Sequence, residues 1–203
     1  MTVYNVTADA DVFTCNAYLV TGETTSLIDV GATKNIVEEI HSYTDMLDNI
    51  LITHQHSDHI QQLDTVVEAF DPEVYAYDDH PLRTREIMDG DTVPIGSDTF
   101  RVIYSPGHAN DHLVFYSNET IFSGDIVVYS DEAYERGSFG RTDKPSQSRE
   151  TLIESIERIR TKLPSTVKNM YPGHGEPYQG DVHTIINNAL DRAKKYNPKY
   201  GQQ

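Results

Sequence analysis

The sequence predicts an α/β fold, and three observations lead there. Short β-like runs alternate along the chain with amphipathic helical patterns. Strands and helices recur in two successive halves, which fits sheets sandwiched between helices. At 203 residues and 37% hydrophobic content, the chain is long enough to bury roughly 70% of its unfolded surface. It therefore needs neither a disulfide nor a structural metal for stability, and residues 1–203 read as a single domain.

The elements follow in order. Val12–Val20 and Ser26–Val30 read as neighbouring strands joined by a turn at Thr21-Gly22-Glu23. Ile36, Val37, Ile40 and Tyr43 have helical spacing over Thr33–Tyr43, with Thr33 as a candidate cap. Ile50–Thr53 is a short strand that runs into a histidine-rich loop. A helix then carries Ile60, Leu63, Val66, Val67 and Phe70 and stops before Pro72. Val74–Tyr77, Phe100–Tyr104, Leu113–Tyr116 and Ile121–Phe122 read as strands between turn residues. Arg149–Leu163 is an amphipathic helix with Ser146 or Ser148 as cap and Pro164 as stop. Val167–Tyr171 is a last strand, and Val182–Tyr196 a last helix bearing Ile185, Ile186 and Leu190.

Charge excludes several classes of partner. Sixteen Lys+Arg against thirty-two Asp+Glu give −16, which repels phosphate backbones and anionic headgroups and argues against nucleic-acid and membrane-surface binding. The acids are scattered and form no tail, so they read as a solvated surface. Such a surface resembles in composition those of proteins from salt-loving organisms, and predicts weaker folding at low ionic strength. No apolar run approaches the roughly 18 residues of a membrane span and the N-terminus shows no targeting pattern, so the expected location is cytoplasmic. The single Cys15 reads as a buried, inert thiol.

Thr53-His54-Gln55-His56-Ser57-Asp58-His59 is the strongest chemical signal. An HxHxDH run is expected by chance only about 0.002 times in a chain of this composition. On an extended loop, His54 and His56 project to one side and can reach one cation at about 2.0–2.1 Å. Asp58 and His59 stand where the next helix begins and approach from another direction, which suits a second cation. Further candidates stand in turns directly after predicted strands: His108 in Ser105-Pro106-Gly107-His108, Asp125 in Ser123-Gly124-Asp125, and His174 in Tyr171-Pro172-Gly173-His174-Gly175.

Together these motifs, with Leu27-Ile28-Asp29-Val30-Gly31 and Gly140-Arg141-Thr142-Asp143, are similar to those of the metallo-β-lactamase-fold hydrolases. Within them the chain most resembles the short glyoxalase II-like (hydroxyacylglutathione hydrolase-like) members. The resemblance implies a four-layer αββα sandwich and a binuclear centre. His54, His56 and His108 would hold one metal, Asp58, His59 and His174 the other, and Asp125 would bridge. The donor set suits two divalent ions, Zn²⁺ first, with Fe or Mn²⁺ as alternatives. The reaction implied is hydrolysis of a small-molecule thioester or ester by a metal-bound hydroxide, with Asp58 orienting the water. Asp29 would either support a histidine ligand or serve as a strand-end turn residue. His112, where relatives often carry His or Ser, would either line the pocket or be a loop histidine with no metal role, the more frequent case. Arg141 belongs to a loop near the metals or to a salt-bridged loop.

The family also supplies alternatives. A persulfide dioxygenase, a mononuclear iron oxidoreductase of the same fold, carries a GRTD-like segment too. It usually shows Ala before the last histidine and Asp after it, whereas Pro172-Gly173-His174-Gly175 resembles the hydrolase version. A lactonase and a non-catalytic metal-binding module are further readings, and an RNA-processing nuclease is disfavoured by the charge. Glyoxalase II proper has a C-terminal helical region for glutathione. Here Arg192, Lys194, Lys195, Tyr196 and Lys199 form a basic, aromatic end that either takes over part of that role or complements a helix C-terminus.

Overall fold

A computed structural model describes residues 1–195. The chain divides into two compact units, Met1–Val102 and the part beginning at Ile103. In the first unit, β1 (Thr2–Asn5), β2 (Tyr18–Thr21), β3 (Ser26–Ile28), β4 (Asn49–Leu51), β5 (Glu73–Ala76) and β6 (Arg85–Glu86) form one sheet in sequence order. The pairs β1/β2 and β2/β3 are antiparallel, and β3 through β6 run parallel. Parallel neighbours need crossovers. The first two contain α1 (Ile36–His41) and then α2 (Ser57–Ile60) with α3 (Leu63–Phe70), and the short connection from β5 to β6 contains no helix. Every residue of β3 and β4 is buried, as expected of parallel strands covered on both faces. Ile36, Ile40, Leu63 and Val66 pack with Leu27, Ile50 and Val74 in this core, each side chain contributing about 1.5–3 kcal/mol.

The second sheet has the order β12-β11-β10-β9-β8-β7: β7 (Thr92–Ile95), β8 (Asp98–Tyr104), β9 (Leu113–Tyr116), β10 (Thr120–Gly124), β11 (Asn169–Pro172) and β12 (Tyr178–Gln179). The division between the units falls within β8. β10 and β11 are parallel, and α4 (Arg149–Lys162) lies in the connection between them. Ser148 Oγ accepts from Thr151 N at 3.2 Å, a cap worth about 1 kcal/mol; Ser146, the other candidate, takes a positive φ and does not cap. α5 (Val182–Lys194) is capped by Asp181, which accepts from Thr184 N at 3.1 Å. Leu152, Ile156 and Ile159 of α4 share a core with Ile185, Ile186 and Leu190 of α5 and with Ile103, Val114, Ile121 and Met170 of the sheet.

Several expectations are corrected. The strand expected over Val12–Val20 is regular only as β2. Its first half is tied down otherwise: Thr7 Oγ1 donates to Cys15 O at 2.8 Å, Cys15 N to Asp58 O at 3.1 Å, and Ala32 N to Thr14 Oγ1 at 2.8 Å. α1 is shorter than Thr33–Tyr43, and Thr33 donates to Asn35 Oδ1 at 2.5 Å instead of capping. The helix expected through Ile60 to Phe70 is two, α2 and α3, divided at Gln61-Gln62, where Gln62 N and Nε2 donate to Gly31 O and Ala32 O, both at 3.2 Å. β1, β6, β7 and β12 were not anticipated; each spans four residues or fewer, and β7, at the sheet edge, contains Pro94. Tyr196 and Lys199 lie outside the described residues. Cys15 is buried. Among the described residues no helix is long and apolar enough to cross a membrane.

Candidate metal centre

In the first unit the donors follow β4. His54 and His59 are fully buried, while His56 and Asp58 are half-buried. His54 Nε2 and His56 Nδ1 face each other at 3.0 Å, the i, i+2 projection expected of an extended loop. The His59 ring lies 4.0 Å from that of His54, centroid to centroid, and His59 Nε2 is 3.9 Å from Asp58 Oδ2.

Asp29 organises these rings from behind. It is 1% exposed and holds a left-handed backbone, φ 56°, which Asp tolerates better than most residues. Its Oδ1 accepts from Thr53 N at 2.8 Å, and its Oδ2 from Thr53 Oγ1 at 2.7 Å and His59 Nδ1 at 2.8 Å. A hydroxyl has one proton. Because Thr53 donates it to Asp29, Thr53 Oγ1 accepts from His54 Nδ1 at 3.1 Å. One carboxylate therefore fixes two tautomers, placing the lone pairs of His54 and His59 on Nε2. Fixing the ring through its other nitrogen is how metal-binding histidines are oriented.

In the second unit His108 follows β8, Asp125 follows β10 and His174 follows β11. Asp125 Oδ2 lies 3.3 Å from His108 Nε2 and 3.5 Å from His174 Nε2. His108 Nδ1 donates to Arg141 O at 3.0 Å, so its lone pair too is on Nε2. A carboxylate oxygen facing two imidazole nitrogens at these distances is too far for good hydrogen bonds. The spacing does match neighbouring vertices of a tetrahedral ion with bonds of about 2.0–2.1 Å, which stand about 3.3–3.4 Å apart. On donor type and pairwise spacing, His54 with His56 in the first unit, and Asp125 with either histidine in the second, fit as ligands of a divalent metal.

The loop after Asp125 closes tightly on this cluster. Gly140 N donates to Asp125 O at 2.7 Å, and a Cβ at Gly140 would come within 2.5 Å of both Asp125 O and His108 Nδ1. The expected role of Arg141 is divided. Its carbonyl holds His108, while its half-exposed guanidinium pairs with Asp143 at 2.9 and 2.7 Å and holds that carboxyl below the usual carboxylate range. The loop is anchored by α5: Arg192 Nη1 donates to Glu135 O at 2.7 Å and to Gly137 O, its guanidinium lies 5.1 Å above the Tyr134 ring, and Asn188 Nδ2 donates to Arg136 O at 2.8 Å. Lys194 pairs with Glu157 at 2.5 Å. Of the basic end, these two side chains are thus spent within the molecule.

The structure brings together His54, His56, Asp58 and His59 in one unit, and His108, Asp125 and His174 in the other, with Asp29 directly behind His59. Sequence reasoning missed Thr53 and the Arg141 carbonyl. Thr53 stood in plain view before the first histidine, but a backbone carbonyl leaves no trace in residue identity.

The family model for the metallo-beta-lactamase superfamily matches residues 10–86. A probable metallo-hydrolase of Streptococcus pyogenes is 32% identical over 78% of this chain and 77% of its own length. A hydroxyacylglutathione hydrolase of Francisella tularensis subsp. novicida is 33% identical over 63% of this chain but only 49% of its own length, so the chain spans about half of that relative. Among solved structures, ETHE1 from Myxococcus xanthus superposes with a TM-score of 0.74 over 97% of this chain and 92% of its own, at 21% identity. The chain belongs to the metallo-β-lactamase superfamily and has its mixed α/β, two-sheet fold.

Proposed function

We propose that the chain is a metal-dependent hydrolase that cleaves a small-molecule thioester or related ester. Its donors would serve one binuclear centre: His54, His56 and His108 on one ion, Asp58, His59 and His174 on the other, Asp125 on both. The observation that carries this reading is Asp125 Oδ2, set 3.3 and 3.5 Å from two imidazole nitrogens. Zinc is the first choice for a set of imidazoles and carboxylates, with iron or manganese as alternatives. Bound there, two divalent ions would lower the pKa of a water to about 7 and polarise a carbonyl. Asp58, whose side chain is 19% exposed against 8% for Asp125, is the carboxylate positioned to orient a water and accept its hydrogen bond. A thiol leaving group, with a pKa of about 8.5, departs as thiolate without strong acid assistance, which favours thioesters among carbonyl substrates. The hydroxyacylglutathione hydrolases among the relatives support the same substrate class.

The test measures metal content by mass spectrometry on protein purified without added metal, together with hydrolysis of S-lactoylglutathione in molar salt. Two ions per chain with thioester cleavage are expected. One iron per chain, with oxygen consumed on a thiol persulfide and no thioester cleavage, would replace the hydrolase with the dioxygenase.

A further inference from the structure

Behind the Asp125 cluster lies a histidine whose ring is held between the Asp125 backbone and a serine. His112 is fully buried, as is Ser105. Asp125 N donates to His112 Nε2 at 3.0 Å, and His112 Nδ1 stands 2.8 Å from Ser105 Oγ. A backbone N–H can only donate, so Nε2 accepts and the ring proton sits on Nδ1, where it is given to Ser105 Oγ. Ser105 Oγ in turn faces His112 O at 3.3 Å, and Ser105 N donates to the same carbonyl at 2.8 Å. These bonds close the loop 105–112, which carries His108, and tie it to the turn that carries Asp125. The residue before Asp125 is Gly124, at φ 48°, a turn that glycine leaves free to rotate. Gly173 N holds the Gly124 carbonyl at 2.8 Å and Gly140 N the Asp125 carbonyl at 2.7 Å, and His112 holds the amide between them.

We propose that His112 is a positioning residue for the metal centre: by accepting the Asp125 amide hydrogen and bracing on Ser105, it holds the Asp125 carboxylate against His108 and His174 and so sets the affinity for metal. The inference rests on the metal-dependent reading above. It assigns His112 no contact with metal or substrate. A residue that holds a ligand in this way commonly changes metal affinity roughly 10–100-fold when removed.

The experiment titrates Zn²⁺ into metal-free protein against a chelating dye and records the melting curve of each metal-free variant. His112→Phe, which keeps the volume but not the acceptor, is expected to bind Zn²⁺ roughly 10–100-fold more weakly. His112→Gln carries an amide oxygen that reaches the Nε2 position, and is expected to recover most of that loss. A residue that only fills space would lower the melting temperature in both variants and leave affinity unchanged. Equal affinity in His112→Phe and the unaltered chain overturns the inference. Where His112→Phe does not fold, Ser105→Ala decides: weaker binding by a folded protein supports the brace, and unchanged binding overturns it. No zinc uptake by the unaltered chain would sink the metal reading and this inference with it.

Discussion

Asp29→Asn changes one atom and tests the whole arrangement behind the first donor cluster. The Asn side chain tolerates the left-handed backbone at this position (φ 56°). Thr53 N–H, 2.8 Å from Oδ1, demands the amide oxygen on that side, which puts the NH₂ group where Oδ2 was. There it faces Thr53 Oγ1 and His59 Nδ1, which stood 2.7 and 2.8 Å from Oδ2. An NH₂ group cannot accept. Thr53 must turn its proton toward His54 Nδ1, and both histidines must move their own protons to Nε2, the nitrogens facing the donor cluster. The substitution exchanges bonds to a charged acceptor, worth about 1.5–3 kcal/mol each, for neutral ones worth about 0.5–1.5. Matching the low and high ends, each bond loses about 1–1.5 kcal/mol, so over the two bonds to Oδ2 the expected destabilisation is about 2–3 kcal/mol. Metal affinity is expected to fall by at least the roughly 10–100-fold typical of a lost supporting hydrogen bond. Urea unfolding of metal-free protein reads the first quantity and zinc competition with a chelator the second. A variant with unaltered stability and unaltered zinc affinity would refute the proton assignment and the orienting role of Asp29.

Three further outcomes are expected. His56→Ala should abolish metal uptake and activity while the metal-free protein stays folded, because the cores lie elsewhere; circular dichroism showing global unfolding would make the metal structural. Gly140→Ala pushes a methyl into Asp125 O and His108 Nδ1, both at 2.5 Å, and should cost about 1–3 kcal/mol by overpacking as well as weakening metal binding; an unchanged melt and metal stoichiometry would show that the loop yields freely. The net charge of −16 predicts a melting temperature that rises between low and molar salt as self-repulsion is screened, and a flat profile would speak against it.

What the sequence revealed and concealed divides by range. The histidine run was readable because its donors lie within six residues, His54 and His56 on a loop and Asp58 and His59 in the first turn of α2, where side-chain direction follows from local geometry. His108, Asp125 and His174 were readable as candidates because each ends a strand in a turn. Concealed were interactions that backbone atoms make. The carbonyl of Arg141 holds His108, yet the arginine stood out only as part of the Gly140-Arg141-Thr142-Asp143 motif. Segment 12–17 has the apolar character of a strand, but Thr7, Thr14 and the Asp58 carbonyl take its hydrogen bonds, a competition that only tertiary structure decides. The break at Gln61-Gln62 arises similarly, from the carbonyls of Gly31 and Ala32.

The last helix supplies no donor, yet Arg192 and Asn188 grip three successive carbonyls of the segment 135–137, a few residues ahead of the Gly140-Arg141 pair. Through that grip, the outward face of α5 reaches the ring of His108. Substitutions at these two half-buried positions would leave the apolar core intact and still slacken the loop that holds His108, so the freedom of this helix to drift in evolution is limited by carbonyls it holds at a distance from the donor cluster.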